Sequence, residues 1–350
     1  MTTMNTSLSN NTSSRRGFTL VELLVVVAVI ALLIGLLLPA LSKARAAGYQ
    51  AKGLSTQKQL VLGLITYSNS ADFSIAGINT SGRQVQRLLQ STPARLDQSE
   101  TLPTQGWDWL TPALGGEVSF PVSRSERLVY GLREYADPAQ REVLTVTNLD
   151  NAGQATAPAE SMQQLVTRLG SIPAPSYFMP AAFQLQGGVT TPPGSGDYTS
   201  PYGQSDEAKA CVELPTGYRP RLDKVGQGAT KIALADGHIN ITDSSGPVKM
   251  DVGAFTTPVD KIFGAYASDG AIRKDSLAYA EGSTNSKLSY RHANRMNTVY
   301  WDGHGEAIND DSSRNPSLWY PVNSTFKNSN AHSASAVYFG SGATFPRKTN

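Results

Sequence analysis

From Leu23 to Ser42, twenty consecutive positions carry no charged side chain. A helix rises ~1.5 Å per residue, so this run spans roughly 30 Å, the thickness of a bilayer's hydrocarbon core. A helix of a soluble core shows a polar stripe along one side, and this run has none. The segment reads as membrane-spanning. One carboxylate, Glu22, stands at its edge. An unpaired charge in lipid costs about 3 kcal/mol even on lenient insertion scales, so that acid needs a reason.

Three kinds of membrane segment fit the flanks. A cleaved secretory signal would use Arg15 and Arg16 as its basic end and Ala44-Arg45-Ala46 as its cutting site. Its apolar part would then exceed the usual ~7–15 residues, and Lys43 and Arg45 crowd the site. A twin-arginine signal is suggested by Ser14-Arg15-Arg16-Gly17-Phe18, but such signals are only mildly hydrophobic, whereas Leu and Val dominate here. Neither account uses Glu22.

The third account does. Gly17-Phe18-Thr19-Leu20-Val21-Glu22, behind a short polar leader ending in Arg-Arg, resembles the processing site of type IV pilins and type II secretion pseudopilins. The resemblance implies that a prepilin peptidase cuts between Gly17 and Phe18 and methylates the new amine of Phe18. It also implies assembly with other pilin or pseudopilin subunits through the N-terminal helix. Glu22 would neutralise the amine of a neighbouring Phe18 as helices pack. A paired buried charge is far cheaper than a lone one, so the pair would set register. Pro39, which the family commonly has at this place, lacks an N–H and is expected to kink the helix or open its hydrogen bonds. The family places such chains in the cytoplasmic membrane with the head outside the cytoplasm. Arg15 and Arg16 agree with a cytoplasmic leader, while Lys43, Arg45 and Lys52 argue the reverse.

Composition bounds the rest. The 350 residues carry a net charge of +2, and loss of Arg15 and Arg16 would leave a near-neutral chain. There is no basic field of the kind nucleic-acid binding needs. The single cysteine, Cys211, excludes an internal disulfide. Many type IV pilins have such a staple near the C-terminus, whereas pseudopilins often lack it.

The expected fold is α+β: a long N-terminal helix packed on an antiparallel sheet, with long irregular loops. The expected parts are a leader at 1–17, a membrane half of the helix at 18–42, a periplasmic half at 43–70 and a globular head at 71–350. Leu54, Leu60, Val61, Leu64 and Ile65 fall near helical spacing, so one helix is expected from about 18 to 67. A short helix is expected at 82–92. Trp107 and Trp109 read as core or interface anchors. Residues 150–220, rich in Ala, Pro, Gly and Ser, read as irregular, and so does Ala174-Pro175-Ser176-Tyr177-Phe178-Met179-Pro180 within them.

Two segments resemble each other: Lys231–Thr242 and Asn297–Ile308 each place Asp-Gly-His between apolar runs. Asp-Gly between such runs is a strong hairpin signal, because a type I′ turn needs φ > 0 at both central residues. Both read as hairpins, with Ile232 and Leu234 on one sheet face and Val299 and Trp301 on one face. His292, nine residues and Asp302-Gly303 together resemble the His-x9-Asp-Gly signature of a large pilin-like group. That group often carries a mid-chain Cys-Pro, and Asp137-Pro138 stands in the plausible position here.

Asp302, His304, Glu306 and His292 are residue types that bind divalent metals. The preferred expectation is turn chemistry instead, with Asp302 and Gly303 forming the turn and His292 packing or bonding the loop. No metal or cofactor is expected. No catalytic motif is present, and Cys211 reads as a small core residue, so the chain is not expected to be an enzyme. The leading expectation is a structural subunit. The rival is a single-pass membrane anchor carrying an extracytoplasmic binding or enzymatic domain.

Overall fold

The computed structural model describes residues 19–77, 108–116, 118–141, 143–144, 162–184, 187, 212–239, 242–243, 246–247, 267–268, 286–326, 335 and 337–338. The expected helix at 82–92, Trp107, Cys211 and His332 lie outside them. The chain divides into two compact units, Met1–Ala47 and Gly48–Asn350. A single helix, α1 (Leu20–Ser70), contributes to both and continues through Pro39.

In the first unit α1 is apolar all round from Leu23 to Leu41, and every described residue is exposed, Leu20 at 80% and Leu36 at 70%. Such a helix has no face to bury in a soluble core. It is the one described helix long and apolar enough to cross a membrane.

In the second unit α1 becomes amphipathic. Gly53, Gln57, Leu60, Val61, Leu64 and Ser68 recur at helical spacing and are all buried. Leu54 and Ile65 pack at the edge of the same core. The helix ends where Asp72 and Phe73 turn left-handed, at φ 50° and 59°. Phe73 donates its N–H to the Ser68 carbonyl at 2.7 Å, closing the last turn.

The sheet against this helix has six strands: β1 (Tyr177–Pro180), β2 (Ile232–Ile239), β3 (Ala267–Ser268), β4 (Ser286–Leu288), β5 (Met296–Tyr300) and β6 (Gly305–Ile308). Their order is β6-β5-β2-β1-β3, with β4 pairing the far end of β2. All pairs are antiparallel except β1 with β3. One core joins Leu60, Val61 and Leu64 of α1 to Phe178, Leu234, Val299 and Trp301, with Trp109 buried among them. A second holds Ile232, Met296, Tyr300, Ile308, Trp319 and Phe326. Fully burying one such side chain stabilises by about 1.5–3 kcal/mol, so both faces of the sheet are anchored.

Three expectations are corrected. Tyr177–Pro180 is a strand, not a loop; all four residues are buried, so it lacks the alternation that marks a half-exposed strand. Lys231–Thr242 is not a hairpin, because β2 runs straight through Asp236-Gly237 with partners on both edges. Ile232 and Leu234 enter different cores, because the pairing with β5 slips between Val299 and Tyr300 and a bulge re-aims the side chains. Val299 and Trp301 do share a core.

Candidate functional site

Two places concentrate the residues singled out by the sequence. The first is the start of α1. Gly17 and Phe18 lie outside the described residues. Thr19 precedes the first helical residue, and Glu22 is the third residue within the helix. The Glu22 carboxylate accepts from the Thr19 N–H and from the Thr19 hydroxyl, both at 2.8 Å, and the Glu22 N–H donates to Thr19 Oγ1 at 3.3 Å. This is a capping box, which satisfies backbone donors that a helix start otherwise leaves bare. Thr19-Leu20-Val21-Glu22 carries the Thr-x-x-Glu spacing of such a box.

The second place lies under α1 in the head. His292, Asp137 and Asp236 come from three distant segments, and their side chains are 1%, 0% and 0% exposed. His292 Nε2 faces Asp137 Oδ2 at 3.1 Å and Asp236 Oδ2 at 3.4 Å. The other oxygens are also engaged. Gln57 Nε2 donates to Asp236 Oδ1 at 2.7 Å, and the Ala139 N–H donates to Asp137 Oδ1 at 2.7 Å. The Asn297 N–H donates to Asp236 Oδ2 at 2.8 Å. Tyr177 closes one side, its hydroxyl 3.4 Å from the Gly53 carbonyl. Burial pushes the Asp236 carboxyl up to about 7; Asp137 adds to the rise, and Arg291 and His292 oppose it. Burial, followed by the two carboxylates, also raises the Tyr177 phenol far above its ordinary range.

Local geometry explains how His292 reaches this pocket. His292 and Arg295 exchange backbone hydrogen bonds at 3.1 and 3.0 Å, around Ala293 and Asn294 at φ 52° and 60°. Two central residues at positive φ make the type I′ turn, so it is Ala293-Asn294, not an Asp-Gly pair, that supplies it. The hairpin of β5 and β6 is present, as expected, but its loop is of another kind. Gly303 donates to the Tyr300 carbonyl and Tyr300 donates to the His304 carbonyl, both at 2.9 Å, with Gly303 at φ 87°. That pattern is a three-residue loop with glycine in the left-handed position.

The two ends of the His-x9-Asp-Gly stretch therefore fall into different contact sets. Asp302 Oδ1 pairs with His304 Nδ1 at 2.6 Å in the exposed loop. Glu306 accepts from the Tyr300 hydroxyl at 2.6 Å. His292 is packed in the interior, its Nε2 at hydrogen-bond distance from Asp137 and 3.4 Å from Asp236. Asp137, Asp236, Gln57 and Asn297 were not foreseen in that role, and only the Asp137-Pro138 dipeptide offered a signal.

Residues 12–38 match the family model of the prokaryotic N-terminal methylation motif, consistent with a type IV pilin-like protein. Neither the curated proteins nor the solved structures gave a match. The motif implies processing by a prepilin peptidase and assembly with pilin subunits in general, and the apolar helix that follows points to membrane anchoring.

Proposed function

We propose that this chain is a structural pilin-like or pseudopilin subunit, cut after Gly17 and assembled through its N-terminal helix into a pilus-like or type II secretion filament. The observation that carries the reading is the methylation motif over residues 12–38 running directly into an exposed apolar helix. Before assembly the subunit sits in the cytoplasmic membrane with its head on the extracytoplasmic side. Its partners are the peptidase, other subunits and the bilayer, and nucleic acid is not among them. Its role is not catalytic. In support, the most chemically suggestive cluster among the described residues, His292 with Asp137 and Asp236, is closed to any substrate by burial. Crosslinking in native membranes, with cysteines placed along residues 20–41, tests the assembly. Ladders of crosslinked subunits are expected, and monomer alone would refute it.

One observation favours a second reading, a plain single-pass anchor. The capping box gives Glu22 a local role without any neighbour. An anchor needs only that local role, whereas a filament subunit also needs the charge. Glu22→Gln, which keeps an acceptor for the cap and removes the charge, separates the two.

A further inference from the structure

We propose that Asp137, Asp236 and His292 form a buried site for one divalent first-row transition metal of the zinc or manganese type, independent of how the N-terminal helix assembles. Three observations carry it.

The first is separation. The facing ligand atoms lie 3.1 and 3.4 Å from His292 Nε2, and all three lie within 4.8 Å of one another. With metal–ligand bonds of about 2.1 Å, neighbouring ligands stand about 3.0 Å apart in an octahedron and about 3.4 Å apart in a tetrahedron. A cation fits over these atoms with little movement of the chain.

The second is proton count. Nε2 carries at most one proton, yet two carboxylate oxygens converge on it. Arg291 acts on Asp236 from one side, and a divalent cation among the three facing atoms would serve both carboxylates at once.

The third is a set of idle donors. Gln57 Oε1 and Asn297 Oδ1 are buried with no hydrogen-bond partner, and both residues are 0% exposed. The Gln57 amide already touches Asp236, and the Asn297 main chain does the same. Rotation of the Gln57 amide would turn its carbonyl oxygen toward a cation held by Asp236. A native fold seldom leaves buried carbonyl oxygens idle, and a metal or its bound water would employ them.

The donor set chooses the metal class. Two carboxylates, an imidazole and amide oxygens suit zinc or manganese, whereas calcium takes six to eight oxygens and magnesium holds its water. The site would clamp α1, β2 and the segment after the helix at Arg124–Glu134. With one cysteine in the sequence, no disulfide within the chain can do this.

Because the site is closed, loading belongs to folding. The test is to produce the full chain in medium depleted of metals and resupplied with zinc, manganese or cobalt, then purify it in detergent without chelator. Elemental analysis should give about one zinc or manganese per chain. The cobalt form should show visible ligand-field bands. Asp137→Asn and Asp236→Asn should lose the metal, while Asp302→Asn, in the exposed loop, should keep it. Metal retained in both buried-site variants would place it elsewhere and overturn the proposal. If those variants fail to accumulate, the wild-type chain decides alone. Less than about a tenth of an ion per chain in every medium, with no cobalt spectrum, would sink the idea.

Discussion

His292 Nε2 lies 3.1 Å from Asp137 Oδ2, although 155 positions separate the two residues. The contact depends on the strained turn that follows His292. Ala293 at φ 52° and Asn294 at φ 60° occupy a conformation that costs an L-residue roughly 1–2 kcal/mol, with Asn the better tolerated. Strain of this kind persists only when surrounding contacts over-determine it.

Turn chemistry can therefore be tested with two substitutions of opposite sign. Ala293→Gly relieves strain and should raise stability by about 0.5–1 kcal/mol after the added freedom of the unfolded chain is discounted. Gly303→Val meets no crowding beyond Leu62 at 3.9 Å, yet forces a branched side chain to φ 87°, and should lower stability by about 1–3 kcal/mol. Thermal melting of the full chain in detergent reads both. Equal melting temperatures for Gly303→Val and wild type would show that the loop relaxes freely.

Processing gives the second expectation. Intact-mass measurement on protein from its own membranes should show a chain beginning at N-methylated Phe18. Gly17→Val should leave the leader attached, since a branched side chain hinders the peptidase. A mature N-terminus at Ala47 would indicate a secretory signal and end the pilin-like reading.

Glu22 has two roles to separate, a cap and a charge. Thr19→Ala removes the hydroxyl from the capping box and leaves the charge, at a cost of about 0.5–2 kcal/mol to the helix start. Glu22→Gln keeps an oxygen acceptor for the cap and removes the charge. Subunit crosslinking should fall sharply in Glu22→Gln and only mildly in Thr19→Ala. Membrane insertion should survive in both, since Glu22→Gln loses a charge that is costly in lipid and Thr19→Ala adds none. Wild-type crosslinking in Glu22→Gln would leave the cap as the residue's whole purpose.

Lys231 gives the pH dependence. It is buried with Nζ donating to the Ser317 carbonyl at 2.6 Å, and burial lowers its pKa from 10.5 to about 8. The folded state thus releases this proton more readily than the unfolded state. Below pH 8 the cost of the buried charge is fully present, and between pH 8 and 10.5 the unfolded chain binds more protons, so stability rises with pH. The gain is on the order of 2–3 kcal/mol. Tyr135, Tyr177, Tyr218, Tyr290 and Tyr300, all raised by burial, oppose it as pH nears the ordinary tyrosine range, so the rise should show between pH 8 and about 9.5. Denaturant unfolding across that window should lose the slope in Lys231→Met. A slope that persists would assign it to another group.

How much of this was legible depends on the signal each element carries. The apolar run from Leu23 to Ser42 declares its helix by length alone, and Leu60, Val61 and Leu64 declare the face that meets the sheet. The hairpin at Asp302-Gly303 was legible as a hairpin, but its turn type was not, because glycine serves two loop designs equally well. Asp236-Gly237 carried the same dipeptide and became strand interior. Pairing on both edges of β2 outweighs a local turn preference. Tyr177–Pro180 hid because a strand buried throughout has no alternation, and Pro175 before it and Pro180 at its end read as breaks. The polar cluster was the least visible. No spacing along a sequence announces that positions 57, 137, 236 and 292 will meet, since sheet order and the turn at Ala293-Asn294 decide it. The Thr-x-x-Glu cap was open to view, but Glu22 had been read only as a charge.

The buried bond from Gln57 to Asp236 spans 179 positions, and that from Gln57 to the Asn297 carbonyl spans 240. Their partners on β2 and β5 are made long after the helix. At roughly 5–20 residues per second, the apolar face at Leu60, Val61 and Leu64 waits on the order of ten to fifty seconds for Val299 to be synthesised. The membrane half of the same helix has all its residues within the first few seconds. Biogenesis therefore runs in two tempos: an anchor available early, and a head whose earliest element is sealed by strands made long after it. For that interval the apolar face of the helix lacks the strands that later cover it.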